Sequence, residues 1–318
     1  MERINRQFHF IWFSNGPRDL SYLQFFSIVS AKEYHPTYSI NLFTDNCFAG
    51  PLWDKVKDFV NVYNIDRPVF ETSGTDYNKF VAYSDITRNL IIKEYGGIYC
   101  DLDIIWRKSV ESLVQSLEQN ATTTPIYAVG AQGKNACEGL NMGVIIGERD
   151  AKFPDVYLET YARYDEFVKE PSDHIRYYST SIPLSLLTNN QHIGTILPYN
   201  AFHWPLYHVT KNWFLAGNNH PELKDGPKFS PLGGGYWSNE SLEDSYAHHC
   251  FFLDDRLKDG DISINGFDEE KKLQHLKEDP SNIRAGQYNY SLEMSVVDFI
   301  EEIDSPFTNI CKPLLKYL

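Results

Sequence analysis

Residues 79–103 constrain this chain more than any other stretch. From 79 to 95 the sequence is a run of apolar residues and good helix formers without proline or glycine, closed by Gly96-Gly97. Glycine enters the left-handed conformation that ends a helix at no steric cost, and a second one lets the chain reverse into a strand. The pattern therefore predicts a helix, a glycine stop and a short strand that runs into Asp101 and Asp103. Two carboxylates two residues apart point the same way on a strand, and on the turn after it both reach one cation. Such hard oxygen donors suit magnesium or manganese, with water and the oxygens of a phosphate ligand completing the shell. Asp-x-Asp alone also describes a solvated turn, so the context decides. Asp85 and Arg88 lie one helical turn apart and share a face. They can pair with each other or jointly hydrogen-bond a polyhydroxylated ligand; the plainer reading is a surface salt bridge worth little.

Ala82-x-Ser84-Asp85-x-x-Arg88, a helix, then Gly96-Gly97-Ile98-Tyr99-x-Asp101-x-Asp103 resembles the signature of the Asp-x-Asp sugar-binding glycosyltransferases of family 32. It is also similar to the glucosyltransferase domain of large clostridial toxins. The resemblance implies an α/β fold of GT-A type, a Rossmann-like mixed sheet flanked by helices. It implies metal-dependent transfer of a sugar, with retention of configuration, from a nucleotide-diphosphate donor to a hydroxyl of a glycan or other acceptor. A UDP-sugar is favoured, Mn2+ or Mg2+ is the expected ion, and a protein acceptor is the toxin-like alternative. By carry-over, Asp103 holds the metal, Asp101 contributes through the ribose or a metal-bound water, and Asp85 and Arg88 grip the sugar hydroxyls. These four are the candidate catalytic residues. A sugar-nucleotide hydrolase shares every donor contact, and a non-catalytic binding module shares Asp85; the intact Asp101/Asp103 pair argues against the module.

The rest of the chain fits around this segment. Residues 7–13 form an aromatic, β-propense run ended by the turn cluster at 14–17. They resemble the family's opening strand, in which Phe10 and Ile11 offer backbone contacts and Trp12 stacks on the base; a core aromatic is the plain reading of Trp12. A helix over 20–34, a strand over 39–43, a helix over 52–61 and a strand at 68–70 continue an alternating α/β pattern. In such sheets ligands bind outside the carboxyl ends of the strands. Beyond Trp106 the pattern predicts a helix to 119, strands at 125–129 and 139–147, and a helix over 153–167. Asn141 resembles the family residue that faces the donor sugar, against an ordinary turn Asn. Residues 178–183 resemble, with Ser181-Ile182 substituted, the family's Thr-Gly-Pro segment. Residues 196–202 resemble its late strand, and 231–237 read as a glycine-rich loop. At 247–251 the sequence resembles the segment whose histidine approaches the metal, His249 being favoured over His248. The expected division is a catalytic domain at 1–259, with a nucleotide-binding half at 1–106 and an acceptor-side half at 107–259. A C-terminal helical extension at 260–318 carries no recognised motif; its apolar tail reads as docking onto the body, with membrane contact as the alternative.

At 318 residues with 42% hydrophobic content the chain can bury one substantial core. A net charge of −14 excludes a general nucleic-acid binder, which needs a basic field to displace counterions. An anionic nucleotide sugar must then be met by a metal and local donors. Five scattered cysteines lack metal-finger spacing and suggest free thiols in a reducing compartment. There is no sustained apolar signal region and no bilayer-length stretch. The expectation is cytoplasmic, with peripheral contact at the inner membrane face left open, and the Asn-x-Ser/Thr matches at Asn120, Asn239 and Asn289 are read as chance.

Overall fold

The computed structural model describes residues 2–14, 16–17, 19–73, 76–121, 124–132, 136, 138–170, 173–202, 245–250, 297, 300–301 and 306–318. Among these residues nine strands fall in chain order: β1 (Gln7–Trp12), β2 (Ser39–Thr44), β3 (Val60–Asn64), β4 (Gly97–Cys100), β5 (Ile104–Trp106), β6 (Tyr127–Ala131), β7 (Leu140–Gly147), β8 (Thr195–Leu197) and β9 (Ala247–His249). Seven build one mixed sheet in the order β3-β2-β1-β4-β7-β6-β8, and β5 pairs with β9 in a small second sheet. Within the large sheet β7 alone runs against its neighbours β4 and β6. The Rossmann-like mixed sheet of the GT-A expectation is therefore what the chain forms.

The sequence explains the elements. Helix α1 (Tyr22–Tyr34) starts at a capping box in which the Ser21 hydroxyl accepts from Gln24 N–H and the Gln24 side chain accepts from Ser21 N–H. It is buried from Leu23 to Ala31, because it is sandwiched against the sheet and β5. Helix α2 (Pro51–Val56) is shorter than expected, and the strand foreseen at 68–70 is absent. The chain instead turns into β3 at Val60, where Val60, Val62 and Tyr63 supply β-branched and aromatic residues; Val69 stands almost wholly exposed. Helix α3 (Asp76–Tyr95) ends as its sequence predicts, with Gly96 at φ +62° and Gly97 at φ +98°. A Cβ at Gly97 would lie 2.8 Å from Gln7 backbone and side-chain atoms, so only glycine lets β4 close on β1. Helix α4 (Glu111–Asn120) follows β5. The helix foreseen over 153–167 is broken into α5 (Phe153–Glu159), a 3-10 turn and α6 (Tyr164–Phe167). A π-helix (His174–Ser181) then runs into α7 (Ile182–Asn189).

The sheet separates two cores. Phe8 and Phe10 face α1, Trp106 and the C-terminal turn, whereas Ile11 and Phe13 face Tyr99, Ile145 and α5. The tail docks on the body as expected: Ile310, Cys311 and Leu314 join the first core, and Lys316 and Tyr317 bind Glu33 of α1. Cys47, Cys100, Cys250 and Cys311 are unbridged. Among the described residues no helix is long and apolar enough to cross a membrane. The expected loop at 231–237, most of the expected helical extension between 260 and 305, and Cys137 lie outside the described residues.

Two buried histidines make the fold acid-sensitive. His9 Nε2–H donates to Gly96 O at 2.7 Å, bracing the glycine turn; His35 Nδ1–H donates to Ala31 O while its Nε2 accepts from Val110 N–H at 2.9 Å. Burial pushes each imidazole down to about 4. The unfolded chain then binds more protons than the native one between about pH 6.5 and 4, so stability present above that window is lost as pH falls through it. Each histidine is expected to cost on the order of 2 kcal/mol between pH 7 and 5. Urea unfolding at several pH values should show the slope, and His9→Asn should remove about half of it.

Candidate active site

Chain β1→β2→β3 moves outward on one side of β1, and α3 then returns β4 to the other side. The order thus reverses between β1 and β4, the switch point at which open α/β sheets bind ligands. The parallel ladder from β1 to β4 pairs only Phe8↔Ile98 and His9↔Tyr99. By that register Phe10 is level with Cys100 at the end of β4, and Ile11 and Trp12 continue past it on the side of the turn that carries Asp101 and Asp103. The Phe10 and Ile11 side chains are spent on the two cores, so these residues can offer a ligand only backbone. Trp12 is half-buried at the strand end, its indole Nε1 buried without a hydrogen-bond partner among the described residues.

Three elements deliver the acidic centre. Asp101 directly follows β4 and its N–H donates to Gly143 O at 2.8 Å; the Ser27 hydroxyl of α1 donates to Asp101 O. Asp103 lies in the turn before β5, whose Ile104 pairs with His249 of β9, and Cys250 N–H donates to Asp103 O at 2.8 Å. This pairing sets His249 Nε2 3.2 Å from Asp103 Oδ2. Ligand atoms of Asp101, Asp103 and His249 all lie within 4.8 Å of one another. His248, paired opposite Ile105, is fully buried and is not in this group.

β7 begins at the edge where β4 ends, because it runs antiparallel to it. That direction brings Asn141 and Gly143 to the same place. Asn141 Oδ1 accepts from Gly143 N–H at 2.8 Å and its Nδ2 donates to Gln132 Oε1. A Cβ on Gly143 would stand 2.9 Å from both Asn141 Oδ1 and Asp101 Oδ2, and 3.2 Å from His249 Cε1. Asp101, Asn141 and His249 therefore converge on a space that a methyl group would fill. Gly143→Ala is expected to leave the fold intact, since this glycine has no positive φ, and to weaken manganese and donor binding about tenfold or more, ~1.4 kcal/mol. Isothermal titration with each ligand reads the loss.

Asp85 and Arg88 do come together, but behind this centre. Asp85 is 1% exposed, its Oδ1 2.9 Å from Arg88 Nη2. Its Oδ2 accepts from His174 Nε2 at 3.0 Å and from Ser179 Oγ at 3.1 Å. The expected grip of Asp85 on a sugar hydroxyl thus meets a carboxylate already engaged on both oxygens. Arg88 donates to Met142 O at 2.9 Å and to Ser84 Oγ at 3.1 Å, lies over the Tyr99 ring, and comes within 3.5 Å of Asp101 Oδ1. The Tyr99 hydroxyl donates to the same Asp101 oxygen.

The electrostatics follow from this crowding. Burial raises the Asp101 carboxyl; Arg88 opposes this, but Asp103 adds to it and the net shift is upward. Burial would lower His249, yet Asp103 beside it leaves the imidazole raised. Asp85 is driven up by burial and brought below its ordinary value by Arg88, His174 and Ser179. Two carboxylates and an imidazole facing one space form a centre that can hold a divalent cation, and the mutual repulsion of the acids is relieved by one.

Tyr99 and Gly143 went unassigned in the sequence, although Tyr99 and Asp101 share a strand parity that sets both on one face. Nothing in the sequence near 85 points to His174 or Ser179, which meet Asp85 only through tertiary packing.

Comparison with known proteins agrees. Residues 24–121, from α1 through α4 and including Asp85, Arg88, Asp101 and Asp103, match the family model described as a glycosyltransferase sugar-binding region containing a DXD motif. The stretch that matches the DXD-containing glycosyltransferase region therefore contains the Asp-x-Asp at the switch point of this mixed sheet. The chain's curated relative Glucan organizing enzyme 1 of Cryptococcus neoformans var. grubii is 24% identical over 230 residues, 72% of this chain and 58% of that protein. The chain thus spans less than two thirds of that relative. Among solved structures it is similar to the PaToxG glycosyltransferase (18% identity, 60% of this chain and 71% of that one, TM-score 0.42). It is also similar to mouse xyloside xylosyltransferase 1 (10% identity, 77% and 97%, TM-score 0.41).

Proposed function

We propose that this chain transfers a sugar from a nucleotide-diphosphate donor, a UDP-sugar being favoured, to a hydroxyl of a glycan or other acceptor, with retention of configuration. The observation that carries the reading is the convergence of Asp101, Asp103 and His249 on the space above Gly143, at the switch point of the sheet. A divalent ion there would supply electrostatic stabilisation for the charge that grows on the departing diphosphate. An imidazole beside two carboxylates favours manganese over magnesium, whose preferred surroundings are oxygens.

The chain's own groups would do the rest. Asp103 and Asp101 offer oxygens to the ion, and His249 offers nitrogen. The backbone edge at Phe10, Ile11 and Trp12 would receive the base, with the Trp12 ring against it. Asn141 would face the donor sugar from the rim of β7, and Arg88 would hold the position of Asp101 from behind. Retention follows the family resemblance, and the name of the curated relative fits a glycan acceptor. A cytoplasmic setting fits the four unbridged cysteines.

The test is thermal melting of the protein with a panel of UDP- and GDP-sugars, each with and without manganese, because a ligand that binds only the native state raises Tm. A manganese-dependent rise with one donor is expected, followed by transfer to an oligosaccharide with the donor's anomeric configuration kept, read by NMR. Free sugar as the only product would make the protein a hydrolase. Binding without turnover would make it a binding module, and no shift with any donor would sink the reading.

A further inference from the structure

We infer that His174 and Ser179 are positioning residues for the acidic centre, acting through Asp85 and Arg88; this rests on the proposed metal-dependent transfer and adds to it a role for the π-helix. In an α-helix residues five apart lie roughly 140° apart around the axis, so His174 and Ser179 would face different ways. In this segment the closing bond runs from Ile182 N–H to Tyr177 O, five residues back. The wider turn brings residues five apart to nearly the same side. His174 and Ser179 consequently reach one oxygen, Asp85 Oδ2, at 3.0 and 3.1 Å. The Tyr157 hydroxyl shares its single proton between Tyr178 O at 3.0 Å and the same carboxylate oxygen at 3.3 Å, pinning the π-helix from α5.

His174 is itself locked. With Nε2–H donating to Asp85, its Nδ1 accepts from the Tyr164 hydroxyl at 2.6 Å, and the ring is fully buried. The π-helix therefore fixes Oδ2, which leaves Oδ1 for Arg88 at 2.9 Å. Arg88 passes the constraint on in two directions. Nη2 stands 3.5 Å from Asp101 Oδ1, and Nη1 donates to Met142 O, between Asn141 and Gly143. Asp101 is thus held by one oxygen, and its Oδ2 is turned toward the space above Gly143. Partners behind a metal ligand that orient it are typically worth about 10–100-fold in metal affinity or activity.

Three variants test this: His174→Phe, which keeps a ring but removes the donor; His174→Gln, whose amide N–H takes the place of Nε2–H; and Ser179→Ala. For each, the manganese Kd is measured by titration without donor, kcat and KM with donor, and Tm. At a temperature where all are folded, His174→Phe should lose about 10–100-fold in manganese affinity with a matching fall in kcat/KM. His174→Gln should recover most of it, and Ser179→Ala should lose less than His174→Phe. A merely structural role would lower Tm and leave the manganese Kd and kcat unchanged; that result in His174→Phe, or in Ser179→Ala if His174→Phe does not fold, overturns the inference. If the wild type itself binds no manganese, or Asp103→Asn binds it equally well, the metal reading has failed instead. Crystal structures of wild type and a folded variant then decide the positioning role alone: a changed Arg88–Asp101 separation supports it, and an unchanged one ends it.

Discussion

Asp103→Asn is expected to abolish sugar transfer while leaving the fold nearly as stable as the wild type. The carboxylate is one of three groups whose ligand atoms lie within 4.8 Å of one another, and the amide replaces an anionic oxygen with a neutral one at the place where the proposed mechanism balances leaving-group charge. Losing one such stabilising group typically costs 10²–10³ in kcat, about 2.7–4 kcal/mol. The backbone does not share in the loss. Asp103 O keeps its bond from Cys250 N–H, so β5 and β9 stay paired. Only the contact with His249 changes: the Asn oxygen can still accept from His249 Nε2, and removing one of two crowded carboxylates relieves its repulsion with Asp101, so the net loss is expected to be about 1 kcal/mol. Single-turnover kinetics and a melting curve on the same preparation give both numbers. Turnover kept in this variant would remove Asp103 from the metal site.

Arg88→Met has the opposite profile, with stability falling first. Asp85 is 1% exposed, and Arg88 is the one permanently cationic side chain within ion-pair distance of it among the described residues. Removing one partner of a buried pair leaves an uncompensated charge and costs about 3–5 kcal/mol, whereas apolar replacement of both partners costs far less. Met also abandons the bond to Met142 O and the stacking on Tyr99. The double variant Asp85→Leu/Arg88→Met should therefore be less destabilised than the sum of its single variants, a coupling that a double-mutant cycle in urea isolates. A single-variant loss below about 1 kcal/mol would mean that the two side chains are solvated and uncoupled.

Local rules made most of the sheet legible. The glycine pair after α3, the capping box of α1 and the aromatic run of β1 each need only near neighbours to act, so they can be read from sequence. The errors arise where context wins. The residue pattern alone reads as helix through 61, but Val60-Asn61-Val62 joins the sheet edge beside β2. β5 was hidden because its partner β9 is far away in the chain, and a three-residue strand carries no periodicity of its own. For the site, the Asp-x-Asp and His249 were visible through the motifs they resemble. What supports them was not: the burial of Asp85 depends on a π-helical register, and no residue pattern in 174–181 announces five-residue closure.

The pairing of β5 with β9 has a consequence for how the molecule is held together. Asp103 and His249 close a long loop of chain, and among the described residues a three-residue ladder with its flanking backbone bonds Cys250 N–H to Asp103 O and Arg107 N–H to Tyr246 O joins the two ends. The divalent ion proposed for this site would therefore be a removable clip on that loop, binding the native chain and not the unfolded one. At a free manganese concentration of 100 Kd such an ion adds about 2.7 kcal/mol to stability. Chelation would withdraw that contribution from the β5–β9 corner first, and hydrogen exchange at Ile104–Trp106 would report its loosening ahead of the seven-stranded sheet.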